Sequence, residues 1–474
     1  MDPSSHPGPC RTDGHEDGRE DGHARGQAYA DRAMTTLDPA LARLDARTSP
    51  SSSPRLVCRT VRVPATRVGD LLALLPDDTS QVLSWVRRGE GLVGWGEVAG
   101  LSVTGEDRFG RAQDWWREIT AVADVEDEVE VPGTGPICFG SMAYSARSQT
   151  PSRLVVPAVV VGRRGRDAWV TTTWLEGEEP SPVDDAVEIS LRPSPAPRAP
   201  ESIRFSDGDL SAGSWAGIVE QAVTRISAGE LDKVVLARSL DVEADSRIDP
   251  RWVLQRLAQD YDTTWVFSVA GLVGATPEML VRLERGLVTS RVLAGTIRRT
   301  GDDSHDLALA GSLARSSKDL EEHEYAVRSV ADALAAHTSS INVPESPFVL
   351  HLTNVMHLAT DVAGVVDDTS TSLALAASLH PSAAVCGTPT PVADGLIGEL
   401  EQMDRGRYAG PVGWMDATGD GEWGIALRCG AQTSPTSLRL YAGCGIVAGS
   451  DAASEVAESD AKFLPMRQAL TPPA

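Results

Sequence analysis

The sequence predicts an α+β fold built on antiparallel sheet, and two observations carry that prediction. Beyond about residue 201, stretches of helical and strand periodicity alternate. Near the C-terminal end, strands at Arg407–Asp416, Gly421–Gly430 and Ser437–Val447 follow one another across tight glycine turns. A tight turn joins only antiparallel neighbours, because a parallel pair needs a long crossover, so a doubly wound fold is not expected.

Taken from the N-terminus, residues 1–55 are rich in Asp, Gly, Ser, Pro and His, which predicts a disordered acidic and polar tail. Its histidines His6, His15 and His23 read as solvated, and Met34 competes with Met1 as the start. Residues 56–200 read as an N-terminal α+β half. It holds a strand-turn-strand over Val82–Val98, a short helix at Arg111–Ile119 and a hairpin over Leu154–Trp174 turning at Arg163–Asp167. Gly89-Glu90-Gly91-Leu92-Val93-Gly94 fits GxGxxG, but a strand pattern continues through Val98 where a dinucleotide site needs a helix. Six prolines between Glu179 and Pro200 predict a linker or long surface connection. Residues 201–474 then hold a helix at Trp215–Ser227, a strand at Leu231–Arg238, a long helical region at Ser304–His337 broken at most once, the three strands above and a closing helix at Ser454–Leu470. The spans 56–200 and 201–474 are expected to form one structural unit.

Composition excludes several classes. A chain of 474 residues with 41% hydrophobic and 23% charged residues is that of a soluble globular protein with a large core. A formal net charge of -24 argues against nucleic-acid and anionic-membrane partners and requires any anion site to be locally basic. The cysteines (Cys10, Cys58, Cys138, Cys386, Cys429 and Cys444) form no CxxC pair and read as reduced thiols. No secretory signal stands at the N-terminus, and the apolar run Leu154–Val161 is too short to span a bilayer, so the expected location is the cytoplasm.

Only Lys233, Lys318 and Lys462 are lysines; the rest of the 43 basic residues are arginine. In so biased a chain, lysine should persist where guanidinium cannot serve, as a group able to release its proton and act as a base. Lys233 alternates with Val235 and Ala237 on one strand face, an apolar setting that disfavours the ammonium. A strand-end lysine reaching for water fits the same stretch. Helical spacing puts Asp319 and Glu322 on one face, and Glu455, Glu458 and Lys462 on another. Two carboxylate pairs of this kind can hold magnesium together with an anionic substrate oxygen, though two solvated acidic faces fit the same spacing. Asp416–Gly421 resembles the start of a calcium loop, but Leu427 stands where the bidentate Glu is required, so it reads as a hairpin turn. Glu278 enters a strand with Val281 and Leu283 on its apolar face, where burial would favour the protonated acid. Arg428 within an apolar strand calls for a buried partner or an anionic ligand. Gly443-Cys444-Gly445 offers either close backbone approach or a β-bulge.

Segments in a fixed order then carry a resemblance: LDKVVLAR, GATPEML, LAGTIRR, SKDLEEHE, MHLAT, LHPSAAVCGTP, RYAGPVGWMD, GEWGIALRCG, YAGCGIV and a closing ExxExxxK. Over about residues 210–470 the chain resembles the chorismate-utilising enzymes, and among them the isochorismate synthases. The resemblance implies one large α+β domain of two antiparallel sheets packed face to face with helices outside. It also implies magnesium-dependent conversion of chorismate to isochorismate. Lys233 is similar to the base that activates water for attack at C2, and Glu278 to the acid that protonates the departing C4 hydroxyl. Glu322 and Glu458 match the magnesium ligands, with Asp319 and Glu455 in support. Arg428 and Tyr408, with backbone N–H groups around Gly443 and Gly445, match the site for the pyruvyl carboxylate. Lys462 matches the lysine near the ring carboxylate, and Gly295, Thr296, His357, Ala384 and Val385 match pocket-lining positions.

Relatives that use an amide nitrogen generally lack a lysine at the position of Lys233 and work with a glutaminase. Water as nucleophile and no glutaminase subunit are therefore implied, with the protein a monomer or weak homodimer. Salicylate synthases share that lysine but carry threonine where this chain has Ala384 and commonly phenylalanine where it has His380, which makes salicylate formation the alternative. A non-catalytic chorismate- or metal-binding relative is disfavoured by Lys233 and Glu278 standing together, and a magnesium-dependent phosphate hydrolase would leave Lys233 unexplained. Departures are Val292, where proline often precedes the LAGT run, and Cys386 and Cys444 at small-residue positions, which predict sensitivity to thiol reagents. Menaquinone supply is implied by analogy of length, with a catechol or salicylate siderophore as the other destination.

Overall fold

The computed structural model describes residues 55–77, 81–178, 183–352 and 355–472. The tail expected over 1–55, with its histidines, Met34 and Cys10, lies outside the described residues apart from Arg55. From residue 54 onward the chain forms one compact unit.

Two large sheets organise it. The larger runs, in spatial order, through Arg204–Asp207, Lys233–Glu243, Ser437–Ile446, Cys429–Ser434, Leu272–Thr276, Trp265–Val269, Val82–Arg87, Glu90–Trp95, Val159–Arg164, Asp167–Leu175, Leu56–Arg62 and Asp124–Asp127. The smaller runs through Thr338–Asn342, Val355–Val366, Leu287–Arg298, Met279–Glu284, Gly421–Ile425, Pro411–Asp416, Ile137–Ser141, Ser152–Val156 and Ala99–Val103. Among the described residues, Leu56–Arg62 with Asp124–Asp127 is the one parallel pairing. Strands from 56–200 and from 201–474 enter both sheets, so the two spans share their hydrogen-bond ladders.

Trp85 of the larger sheet ties the two together. A side chain added at Gly424 of the smaller sheet would stand 2.8 Å from its ring, and its indole N–H donates to Glu422 at 2.8 Å. On the outer face of the larger sheet, helices Pro250–Asp260 and Ala452–Leu470 bury Val253, Leu254, Leu257, Phe463, Met466 and Leu470 in one apolar cluster. Each such side chain contributes roughly 1.5–3 kcal/mol on leaving water. The closing helix is thereby held firmly by one face, leaving the other to carry its acids.

Two expectations are corrected and a third is made definite. The proline-rich connection contains a helix, Val183–Ser190, because Val187 and the following Leu191 lie one turn apart and both are buried. The one break allowed in Ser304–His337 is present, between helices Asp303–Leu313 and Ser317–Ala335, the second capped by the Ser316 side chain. Gly421–Gly430 is two strands in different sheets, with the chain passing between them at Ala426–Arg428.

Candidate active site

Two crossings between the sheets lie side by side. Pro277-Glu278 links Leu272–Thr276 of the larger sheet to Met279–Glu284 of the smaller, and Ala426-Leu427-Arg428 runs the other way. They are stitched by the Ile425 N–H donating to the Glu278 carbonyl at 3.1 Å and the Ala275 N–H donating to the Arg428 carbonyl at 3.2 Å. Arg428 takes the left-handed conformation, φ 48°, which a regular strand does not allow. Glu278 is 8% exposed, with Lys233, Arg428 and Lys462 close enough to act on its charge. Burial pushes its carboxyl up to about 7 against the pull of those three cations. Tyr408 is buried and stacked on Tyr441, ring centroids 5.1 Å apart, and its proximity works against the lowering of Arg428 by burial.

Lys233 approaches from the other side. Two strands separate Lys233–Glu243 from Leu272–Thr276 in the larger sheet. Three strand spacings amount to roughly 14 Å across the sheet, so Lys233 and Glu278 enter from separate strands.

The open edge of Ser437–Ile446 forms another wall. Its pairing with the lysine strand runs from Glu243↔Ser437 to Val234↔Ile446 without a register shift, so there is no β-bulge at Gly443-Cys444-Gly445. Its pairing with Cys429–Ser434 stops at Tyr441, which leaves the far edge beyond it without a strand partner among the described residues. Alternate residues of an antiparallel strand turn their N–H and C=O groups to alternate sides. The Gly443 carbonyl is turned outward, accepting from Lys462 Nζ at 2.8 Å, so the N–H groups of Gly443 and Gly445 face the same open side.

The closing helix lays its acids along that edge. Lys462 Nζ also meets Glu458 Oε1 at 2.7 Å and, against the effect of burial, holds that carboxyl below its ordinary value. One oxygen each of Glu455 and Glu458 and the Cys444 sulfur lie within 4.8 Å of one another. Glu455 Oε2 is buried with no hydrogen-bond partner among the described residues. A carboxylate oxygen in that state suits a cation, so these residues fit a divalent ion. Asp319 stands outside this cluster; its Cβ lies 3.1 Å from where a side chain at Gly295 would begin, which lets its helix approach the strand. Glu322 lies on the same helix, but its side chain is outside the described residues, as is that of Lys318. Thr296 Oγ1 meets His357 Nδ1 at 3.0 Å, and burial, with Arg428 and Lys462, lowers His357 to about 3, so its ring is neutral.

A sequence profile described as chorismate binding enzyme matches residues 42–471. The chain belongs to that family. It is 41% identical over 264 residues to the isochorismate synthase DhbC of Bacillus subtilis, covering 53% of this chain and 66% of that protein. With the salicylate biosynthesis isochorismate synthase of Pseudomonas aeruginosa it shares 32% identity over 415 residues, 83% of this chain and 86% of the relative. The structure of MenF, the menaquinone-specific isochorismate synthase from Escherichia coli, superposes with a TM-score of 0.73 at 25% identity, over 88% of this chain and 95% of that one. No described helix is long and apolar enough to cross a membrane.

In this chorismate binding enzyme, sequence reasoning missed a buried ion pair that holds the lysine strand. Gly387–Thr388 pairs with Lys233-Val234, and Arg204–Asp207 pairs with the strand only from Leu240 onward. Between them a stretch of edge needs partners. The Val235 N–H donates to the Cys386 carbonyl at 2.8 Å, and the Ala237 N–H donates to Glu401 Oε1 at 2.7 Å. Arg405 donates to the Val235 carbonyl at 2.7 Å, the Val385 carbonyl at 2.9 Å and Glu401 Oε2 at 2.9 Å. Glu401 and Arg405 thus fix Lys233's strand against the loop carrying Ala384 and Val385. Their i,i+4 spacing was the available signal.

Proposed function

We propose that the chain is an isochorismate synthase. The observation that carries this reading is the buried Glu278, raised towards neutrality, within electrostatic reach of Lys233, Arg428 and Lys462. Those cations are concentrated at one place in a chain of net charge -24, as a dianionic substrate requires. In the reaction, water oxygen bonds to C2 of chorismate while its proton passes to the Lys233 amine. The ring double bonds shift, the C4–O bond breaks, and the departing oxygen takes the Glu278 proton and leaves as water. Arg428 and Tyr408, with the outward N–H groups of Gly443 and Gly445, hold the pyruvyl carboxylate. Lys462 sits by the ring carboxylate, and Gly295, Thr296, His357, Ala384 and Val385 line the pocket. Glu322 and Glu458, supported by Asp319 and Glu455, would hold magnesium, whose charge offsets the repulsion between the ring carboxylate and these acids. The product suits menaquinone or siderophore supply, since both begin with this reaction.

Proton NMR of chorismate incubated with the protein, with magnesium and with excess EDTA, tests the reading. A magnesium-dependent approach to a chorismate and isochorismate mixture without pyruvate is expected. Salicylate plus pyruvate would replace the reading by salicylate synthase, and unchanged chorismate would overturn both.

Glu278 marks the pH profile at a definite place. The acid works only while protonated, so its competent fraction falls as pH rises through about 7, the value to which burial brings it, and kcat/KM should change slope there. A profile flat from pH 6 to 9, with chemistry limiting, would remove Glu278 from the role. Glu458→Gln should weaken magnesium binding by about 10-fold or more, since even partners one shell out cost about 10–100-fold. Calorimetric titration with magnesium measures this, and an unchanged isotherm would take the closing helix out of the metal site.

A further inference from the structure

The closing helix Ala452–Leu470 is held unevenly along its length. Phe463, Met466, Ala469 and Leu470 pack its second half into the apolar cluster, whereas among the described residues 452–460 Ser459 alone is buried. Pro465 divides the two halves. It has no N–H to give the Ala461 carbonyl one turn back, so the packed half does not rigidly carry the acid-bearing half with it. Ser459 stands one turn after Glu455 and directly after Glu458, so whatever grips it sets where both carboxylates point.

The grip comes from Arg238, 2% exposed, on the strand that begins at Lys233. An odd number of residues from Lys233, its side chain leaves the opposite face of the strand, the face the closing helix covers. Its Nε donates to Ser459 Oγ at 2.8 Å, and a terminal nitrogen pairs with Asp460. The guanidinium lies 5.0 Å from the Phe463 ring centroid and 6.0 Å from that of Trp215. Arginine suits this place because its planar fork holds two acceptors in fixed directions while facing aromatic rings, which a point-like ammonium does not. The other ties of the acid-bearing stretch to the sheet are looser. They are a weak thiol bond from Cys444 to the Glu455 carbonyl at 3.4 Å and the flexible stem of Lys462, which reaches the Gly443 carbonyl at 2.8 Å.

We propose that Arg238 is a positioning residue for the carboxylates of the closing helix. Its hold on Ser459 and Asp460 fixes the rotation of the acid-bearing half about the helix axis, and so sets how tightly Glu455 and Glu458 take magnesium. A rotation of about 20° at the ~5–6 Å radius of helix side chains moves a carboxylate by roughly 2 Å, well beyond the tolerance of about 0.2 Å in a metal–oxygen distance. Because Arg238 and Lys233 share one strand, the same residue ties the acids to the strand of the proposed base. The claim about affinity rests on the metal role proposed above; the claim about the helix does not.

The test pairs amide hydrogen exchange with calorimetric magnesium titration, on the full chain and three variants. In Arg238→Met the amides of residues 455–460 should exchange about 10-fold faster or more, while those of residues 466–470 keep their wild-type rates. Magnesium Kd should rise about 10-fold or more in the same variant, the cost of removing a group that orients metal ligands. Ser459→Ala puts a better helix former in place and should move both readouts the same way by less, which keeps the test alive if Arg238→Met fails to fold. Leu470→Ala loosens the packed half and should lower the urea midpoint with the magnesium isotherm unchanged. Unchanged isotherms in Arg238→Met and Ser459→Ala would overturn the proposal. So would equal weakening by Leu470→Ala at a matched loss of midpoint, or exchange that rises evenly along the whole helix. A wild-type chain that binds no magnesium removes the metal reading and the affinity claim together, and the exchange pattern then decides the grip of Arg238 by itself.

Discussion

Lys233→Ala is expected to lower chorismate turnover by about 10²–10⁴-fold, the range a positioned general base supplies. Chorismate affinity should stay within a few-fold, because in the proposed site the pyruvyl and ring carboxylates are met by Arg428, Tyr408 and Lys462. The strand should also survive. Lys233 is the first residue of Lys233–Glu243, and what holds that end is backbone pairing to Gly387-Thr388 and Ile446, which the side chain does not enter. Lys233→Arg sharpens the test. It keeps charge and reach in a chain that uses arginine at nearly every other basic position, but guanidinium cannot accept a proton at any working pH. An arginine variant as inactive as the alanine variant supports proton transfer. Near-normal turnover in either, measured alongside calorimetric binding of chorismate, would sink the base assignment.

Lysine scarcity made Lys233 and Lys462 legible before any fold was known, because substitution bias turns an ordinary residue into an exception. Glu455 and Glu458 were legible by helical spacing, and the face they share with Lys462 is the one the closing helix turns to Ser437–Ile446. Glu278 was visible as an acid entering an apolar strand, but not its place at a crossing between sheets. The same blindness joined Gly421–Gly430 into one strand. Local periodicity reports which faces are apolar, and a chain stepping from one sheet to another keeps that periodicity on both sides of the step. At the Gly443-Cys444-Gly445 edge, sequence left close approach and a bulge open, and only the ladder to Glu243–Val234 decides between them. Glu401 and Arg405 escaped because their partners, Val235 and Ala237, lie more than 160 residues earlier.

That pair sets the second large effect. Glu401 and Arg405 have side chains 1% and 3% exposed, and the guanidinium also lies over the Tyr144 ring at 4.4 Å. Arg405→Met leaves the Glu401 carboxylate buried beside the Ala237 N–H with no counter-charge and strips donors from the Val235 and Val385 carbonyls. Breaking one side of a buried pair costs about 3–5 kcal/mol, so the urea midpoint should fall sharply with little change in slope. The loss should reach function as well. The two carbonyls belong to the strand bearing Lys233 and the loop bearing Ala384, and loosening one against the other moves the proposed base relative to the proposed pocket wall. Adding Glu401→Leu to Arg405→Met removes the stranded charge and should recover part of the stability, because an apolar replacement of both partners is often tolerated where a half-pair is not. It should not restore turnover, since the Ala237 N–H and both carbonyls still lack their partners. A single variant destabilised by less than about 1 kcal/mol would place the pair among ordinary surface bridges and remove it as the anchor of the lysine strand.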